Sequence, residues 1–295
     1  MLSDVAAGLL PRCTFPPAGE PLACAVSGGA DSLALLVLAV AAGCRVTAYH
    51  VDHGLRPGSA EEAEVVRVAA DRVGSGFVAL SIACPAGPNL EARARSARLA
   101  ALPAGAATGH TADDQAETIL LNLLRGAGSD GMRGMRAGPR HPILALRRAE
   151  TVTLVTSLGL EVVDDPSNAD PAFRRNRVRH ELLPLAAEIA GRDLVPVLAR
   201  QAELFADEVE LLDELVAGLD ATDVAAVREA PAALARRAIR RWLRGLDSEG
   251  YAPGARDTER VLEVARGAAR ACELPGGRRI RRTHGRLVAE AASSR

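Results

Sequence analysis

Lysine is absent from this chain: all 36 basic side chains among its 295 residues are arginine. A Walker A phosphate loop needs its lysine on the phosphates, so an ordinary P-loop kinase or GTPase is excluded. Aromatic residues make up only 2% of the sequence, so the core must be built from Ala, Val and Leu, with Ala-rich helices. The five cysteines, Cys13, Cys24, Cys44, Cys84 and Cys272, form no C-x-x-C pair, which argues against zinc knuckles, iron–sulfur clusters and a disulfide framework. Uninterrupted apolar runs of membrane-spanning length are missing, and no basic region precedes an apolar one at the N-terminus. A soluble, cytoplasmic protein with no membrane partner is expected. The formal net charge of -1 neither favours nor excludes a polyanionic partner.

What is present has a clear order. The length suits about two domains. Through about residue 165, strand-like runs at 22–26, 45–51, 76–82, 105–109 and 160–164 alternate with helical stretches at 32–42, 59–73, 89–101 and 113–124. Such alternation predicts an α/β domain, a parallel sheet with helices on both faces, over residues 1–185. Ligands of such sheets bind beyond the carboxyl ends of the strands. After Pro184 the pattern turns helical at 194–219, 232–246 and 257–269, and two short strand-like pieces near the end read as a β-hairpin. A smaller, mainly helical domain over residues 186–295 is expected.

The most informative string is Ser27-Gly28-Gly29-Ala30-Asp31-Ser32, a glycine turn between the first strand and helix. Paired glycines let a backbone approach a ligand, and the N–H groups of Ser27, Gly28 and Gly29, with the helix dipole behind them, suit an anion. Asp31 among phosphates calls for a bridging Mg²⁺. An ordinary capped corner is the plain alternative. The second motif, His50-Val51-Asp52-His53-Gly54-Leu55-Arg56, ends the second strand; adjacent strand residues face opposite ways, so His50, Asp52 and His53 do not easily share one metal ion.

In the third motif, Thr108-Gly109-His110-Thr111-Ala112-Asp113-Asp114-Gln115-Ala116-Glu117-Thr118, Asp113 and Glu117 share a helix face with Asp114 beside them. Acids in a first turn are ordinary dipole partners, but three with a histidine could also hold Mg²⁺ or a cationic substrate. Gly126 to Gly131 matches G-x-G-x-x-G only formally, because it follows a helix. The fourth motif, Asp165-Pro166-Ser167-Asn168, leads to Arg174, Arg175, Arg177 and Arg179, suited to phosphate contact or to a salt-bridged linker. Further arginines at 133–148, 236–244 and 278–286 extend the basic material.

The glycine–aspartate loop resembles that of the PP-loop ATP pyrophosphatases. With the other motifs, Asn89-x-Glu91-x-x-Ala94-Arg95 and Arg125-Gly126-Ala127-Gly128, residues 20–185 resemble the bacterial tRNA(Ile)-lysidine synthase family. Thr111 departs from the family pattern, where many relatives have a second histidine, and the tail is short enough for one C-terminal domain rather than two.

The resemblance implies ATP and Mg²⁺ as cofactors, and tRNA(Ile) with a CAU anticodon and L-lysine as partners. It implies activation of C2 of the wobble cytidine by adenylation of its O2, followed by displacement of AMP by lysine. Ser27, Gly28, Gly29, Ala30, Asp31, Ser32, His50 and His53 would then hold the nucleotide, with Asp31 on the metal. His110, Asp113, Asp114, Glu117 and Arg125 would serve the chemistry, and Arg174, Arg175, Arg177 and Arg179 the tRNA. A homodimer is allowed for. The nearest rival is a PP-loop tRNA thiolase; amide-forming synthetases and a non-hydrolysing nucleotide-binding regulator stand further off.

Overall fold

The computed structural model describes residues 4–52, 59–82, 97, 99–163, 170–246 and 254–290. The chain divides into two compact units, Met1–Ala206 and Asp207–Arg295.

In the first unit, helix α1 (Asp4–Leu9) precedes strand β1 (Pro21–Ala25), helix α2 (Ala30–Ala41), strand β2 (Arg45–Asp52), helix α3 (Ser59–Val73) and strand β3 (Gly76–Ser81). Strand β4 (Ala107–Thr108) then leads into helix α4 (Ala112–Leu124), the short helix α5 (Ser129–Met132) and helix α6 (Arg148–Ser157). The four strands form a parallel sheet in the order β3-β2-β1-β4. The chain thus leaves β1 toward one edge and returns on its other side, making a topological switch point at the carboxyl ends of β1 and β4. Both the Ser27 loop and the segment before α4 lie there.

Helix α2 explains why this sheet holds. Leu33, Leu35, Leu36 and Leu38 are fully buried, so the helix is apolar around most of its circumference and sits inside the core. Each such side chain contributes about 1.5–3 kcal/mol of burial. On one side it packs against Leu154 and Val155 of α6, which anchors the start of α6 beside the glycine loop.

Two expectations change. Residues 160–163 form no strand: the Val163 N–H donates to the Gly28 carbonyl (3.0 Å), which draws this segment over the loop instead of into the sheet. Residues 164–169, most of the expected helix at 89–101, and His53 through Arg56 lie outside the described residues. Helix α6 was absent from the sequence expectation.

Beyond it, helix α7 (Arg174–Arg177) runs through a π-helical turn, Val178–Leu182, into α8 (Leu183–Ala190). The Leu183 N–H reaches back to Val178, and Pro184, having no N–H, cannot continue the ordinary ladder to His180. Helix α9 (Val195–Leu215) passes from the first unit into the second.

The second unit continues with α10 (Val224–Glu229), α11 (Ala232–Gly245) and α12 (Ala255–Arg266). A three-stranded antiparallel sheet ends it, β5 (Ala271–Glu273), β6 (Arg279–Thr283) and β7 (Arg286–Glu290), one strand more than the expected hairpin. Ile239, Leu262 and Ile280 form its core. Among the described residues no helix is long and apolar enough to cross a membrane.

Candidate active site

The glycine loop closes on itself. The Ser32 hydroxyl donates to the Gly29 carbonyl (2.8 Å) and accepts from the Ser27 N–H (3.1 Å), so the Ser27 amide, expected on an anion, serves the loop. Gly28 has φ +86°, and a Cβ there would meet Val163 at 2.6 Å. Gly29 and Ala30 open α2 beside it. Opposite, Gly109 is required by close approach: a Cβ on it would lie 2.6 Å from the Asp31 carbonyl oxygen. His50 is buried with Nδ1 3.0 Å from the Val26 carbonyl, so it braces the end of β1 from below.

The acids and arginines converge more tightly than their spacing announced. Asp114 accepts the Thr111 N–H (2.9 Å) and hydroxyl (3.1 Å) on one oxygen, capping α4. Its other oxygen meets Arg148 (3.0 Å) and Arg175 (3.2 Å). Glu117 is fully buried; Arg179 Nε and Arg175 Nε donate to it at 2.7 Å, and Arg148 at 3.1 Å. Asp113 accepts from Arg147 Nε (3.1 Å) and from the Arg148 N–H (2.8 Å), while Arg147 also pairs with Asp193. Asp31 meets Arg148 Nε at 3.3 Å and accepts from the Thr151 hydroxyl.

Arg148 is therefore the hub. Standing at the first position of α6, it touches acids on both α2 and α4. Burial acts upward on the Asp114 carboxyl, but Arg148, Arg175 and the Thr111 N–H outweigh it and hold it below the ordinary carboxylate range. For Asp31 burial wins: Thr151 and Arg148 only partly counter it, and its carboxyl is pushed up.

His110, just before the α4 cap, places Nδ1 2.6 Å from the Thr108 hydroxyl, and His141 approaches the same oxygen at 2.9 Å. Arg125 lies elsewhere: it caps the far end of α4, about 12 Å along the axis beyond Glu117 at 1.5 Å per residue. It lines a groove of about 480 Å³ with Leu121, Leu124, Arg174, Arg177 and Val178. The four arginines expected on tRNA thus divide, Arg175 and Arg179 on buried acids, Arg174 and Arg177 on the groove. Arg148, Thr151 and His141 are the site residues that the motifs did not single out, while Thr108 stands in the third motif with no role of its own given to it.

The Asp31 carboxylate suits one metal contact. Each oxygen keeps a lone pair beyond its present partner, and Mg²⁺ is commonly held by one or two carboxylates plus phosphates. Among the described residues no group of three acid, histidine or cysteine ligands could hold a metal without such help.

Residues 12–186 match the model of the PP-loop domain and residues 223–288 that of the TilS substrate binding domain. The tRNA(Ile)-lysidine synthase of Nocardia farcinica is 41% identical over 279 residues, 89% of this chain and 86% of that protein. That of Thermobifida fusca is 36% identical, covering 93% of each. That of Streptomyces coelicolor is 40% identical over 90% of this chain and 83% of the relative. Among solved structures, the U34-tRNA thiolase NcsA of Methanococcus maripaludis is similar in fold alone, at 14% identity and a TM-score of 0.51 over 69% of this chain and 79% of that one.

Proposed function

The chain belongs to the tRNA(Ile)-lysidine synthase family of ATP-dependent tRNA-modifying ligases, and on that premise we propose that it joins L-lysine to C2 of the wobble cytidine in a CAU anticodon through an adenylated intermediate. One observation carries the reading: Arg148 bridges Asp31, beside the glycine loop, to Asp114 and Glu117, so the ATP side and the amine side share a single guanidinium.

In the first step the cytidine O2 attacks the α-phosphorus and pyrophosphate departs. Asp31 would hold Mg²⁺, which when bound neutralises charge on the phosphates. The start of α2 and the amides of Gly28, Gly29 and Ala30 would cradle the leaving group. In the second step the lysine amine displaces AMP. A lysine ammonium is a cation, and Asp113, Asp114 and Glu117 already hold cations here, those of arginine; the lysine head would take the place of one of them. The exposed Arg174 and Arg177, with Arg125, would meet RNA phosphate at the groove.

Sulfur delivery, the rival chemistry, needs a thiolate. Burial pushes the Cys13 thiol up to about 11 and that of Cys24 up to about 12, the opposite of activation. The test is direct: purified protein, ATP, Mg²⁺, labelled lysine and unmodified CAU-anticodon tRNA(Ile). Label is expected in the tRNA with one pyrophosphate released per lysine. Pyrophosphate release without lysine transfer overturns the reading.

A further inference from the structure

Thr108, which opens the third motif, and His141, which belongs to none, form a saturated polar unit with His110. The Thr108 oxygen has three neighbours: His110 Nδ1 at 2.6 Å, His141 Nδ1 at 2.9 Å and the Arg140 carbonyl at 3.2 Å. A hydroxyl carries one proton and two acceptor lone pairs. The carbonyl can only accept, so making all three bonds sends the hydroxyl proton to Arg140 and leaves both lone pairs for the imidazoles. Both rings must then donate from Nδ1. The two rings meet edge to face at 5.1 Å and an interplanar angle of 82°, which holds both against the same oxygen.

A neutral imidazole protonated on Nδ1 carries its basic lone pair on Nε2. The lysine head needs such a group, because an ammonium has no lone pair and must lose a proton before it can attack. The neighbouring acids suit that task poorly. Asp113, Asp114 and Glu117 are each paired with arginine, and Asp114 is held below the ordinary carboxylate range. An ammonium near 10.4 gives up its proton more readily to an imidazole near 6.5 than to a carboxylate near 4.

We propose that His110 is the base that takes the proton from the lysine ammonium, and that Thr108 and His141 are positioning residues that fix its tautomer. The step balances as ammonium plus neutral imidazole giving amine plus imidazolium, the proton landing on Nε2 of His110. Thr108 keeps Nδ1–H of His110 engaged because the Arg140 carbonyl takes the hydroxyl proton, which turns both lone pairs to the rings, with His141 donating to the second of them.

The inference rests on the lysine-transfer reading, and two measurements separate their fates. Nitrogen-15 spectra of the imidazoles, with His110 and His141 assigned by loss of signal in His110→Asn and His141→Asn, are expected to show the Nδ1–H tautomer for both at neutral pH. An Nε2–H tautomer at His110 overturns the inference whatever the activity. In the transfer assay, Thr108→Val is expected to lower kcat for lysine at least about tenfold while the lysine KM stays within about twofold. Thr108→Ser, which keeps the hydroxyl, and His141→Asn, which keeps a donor near the Nδ1 position, should recover most of the rate that Thr108→Val and His141→Phe lose. An unchanged kcat in Thr108→Val also overturns it; should that variant not fold, the wild-type spectrum decides. A wild-type protein that transfers no lysine defeats the functional reading and leaves the tautomer result standing.

Discussion

Arg175 and Arg179 differ from Arg174 and Arg177 in almost nothing that composition records, yet they live in different surroundings. The first two lie four apart and turn inward, each bringing Nε to 2.7 Å from the fully buried Glu117. The second two lie three apart on the solvent side, where Arg177 pairs with Glu181 at 2.8 Å with both side chains more than half exposed. Helical period alone sorts them, and the consequence is energetic. An exposed i,i+4 pair is screened by water and adds little, whereas a buried acid depends on its cations to offset desolvation.

Removing the buried acid should therefore have the largest effect on stability. Glu117→Ala leaves Arg148, Arg175 and Arg179 converging on an empty position, and a loss of about 3–5 kcal/mol in urea unfolding of the full chain is expected. Glu181→Ala, which breaks the exposed pair of the same helical run, should leave the urea midpoint essentially where it is. Equal losses in the two variants would break the contrast between inner and outer faces.

Acid titration sharpens it further. The Asp114 carboxyl is lowered in the fold, so its stabilisation is present above the unfolded value near 3.9 and is lost as pH falls through the lower folded value. Asp31 has the opposite sign: raised in the fold, it favours folding below its unfolded value, and that contribution is lost as pH rises through the folded one. Asp114→Asn should thus flatten the acid limb of the stability curve. Asp31→Asn should leave neutral-pH stability equal or higher while abolishing pyrophosphate release, the pattern of a functional group held at a cost to the fold. A marked loss of stability in Asp31→Asn would show that Arg148 and Thr151 outweigh burial there.

How legible this was depends on how local each signal is. The glycine loop, the acid spacing on α4 and the βα alternation are all set by neighbours within a few residues, and α3 appears at 59–73 as its apolar spacing predicts. Arg148 was visible only as one more arginine, because its partner Asp31 is 117 residues away and α6 shows little apolar periodicity around it. His141 was silent for the same reason: its meaning comes from Thr108, 33 residues earlier and brought near by β4. The apolar run at 160–164 resembles a buried strand, but it is Gly28, not a neighbouring strand, that takes the Val163 N–H. The inward turn of Arg175 and Arg179 needed a helix already under way at Arg174, where the apolar pattern turns helical only after Pro184.

The smallest expected effects fall on the outer face, and they show in binding rather than in folding. Arg174→Ala and Arg177→Ala each remove one exposed guanidinium beside the groove that Arg125 also lines. If each meets one phosphate, the variant should weaken tRNA binding about equally for cognate and non-cognate tRNA, and the slope of log affinity against log salt should fall by about 1. Thermal stability should not change, since neither side chain is buried. Arg175→Ala gives the converse result, a destabilised fold without a matching loss of salt slope in the fraction that remains folded. Should Arg175→Ala instead reduce the salt slope as Arg174→Ala does, the inner arginines would have to leave Glu117 when RNA binds, and the division between the two faces would describe only the RNA-free protein.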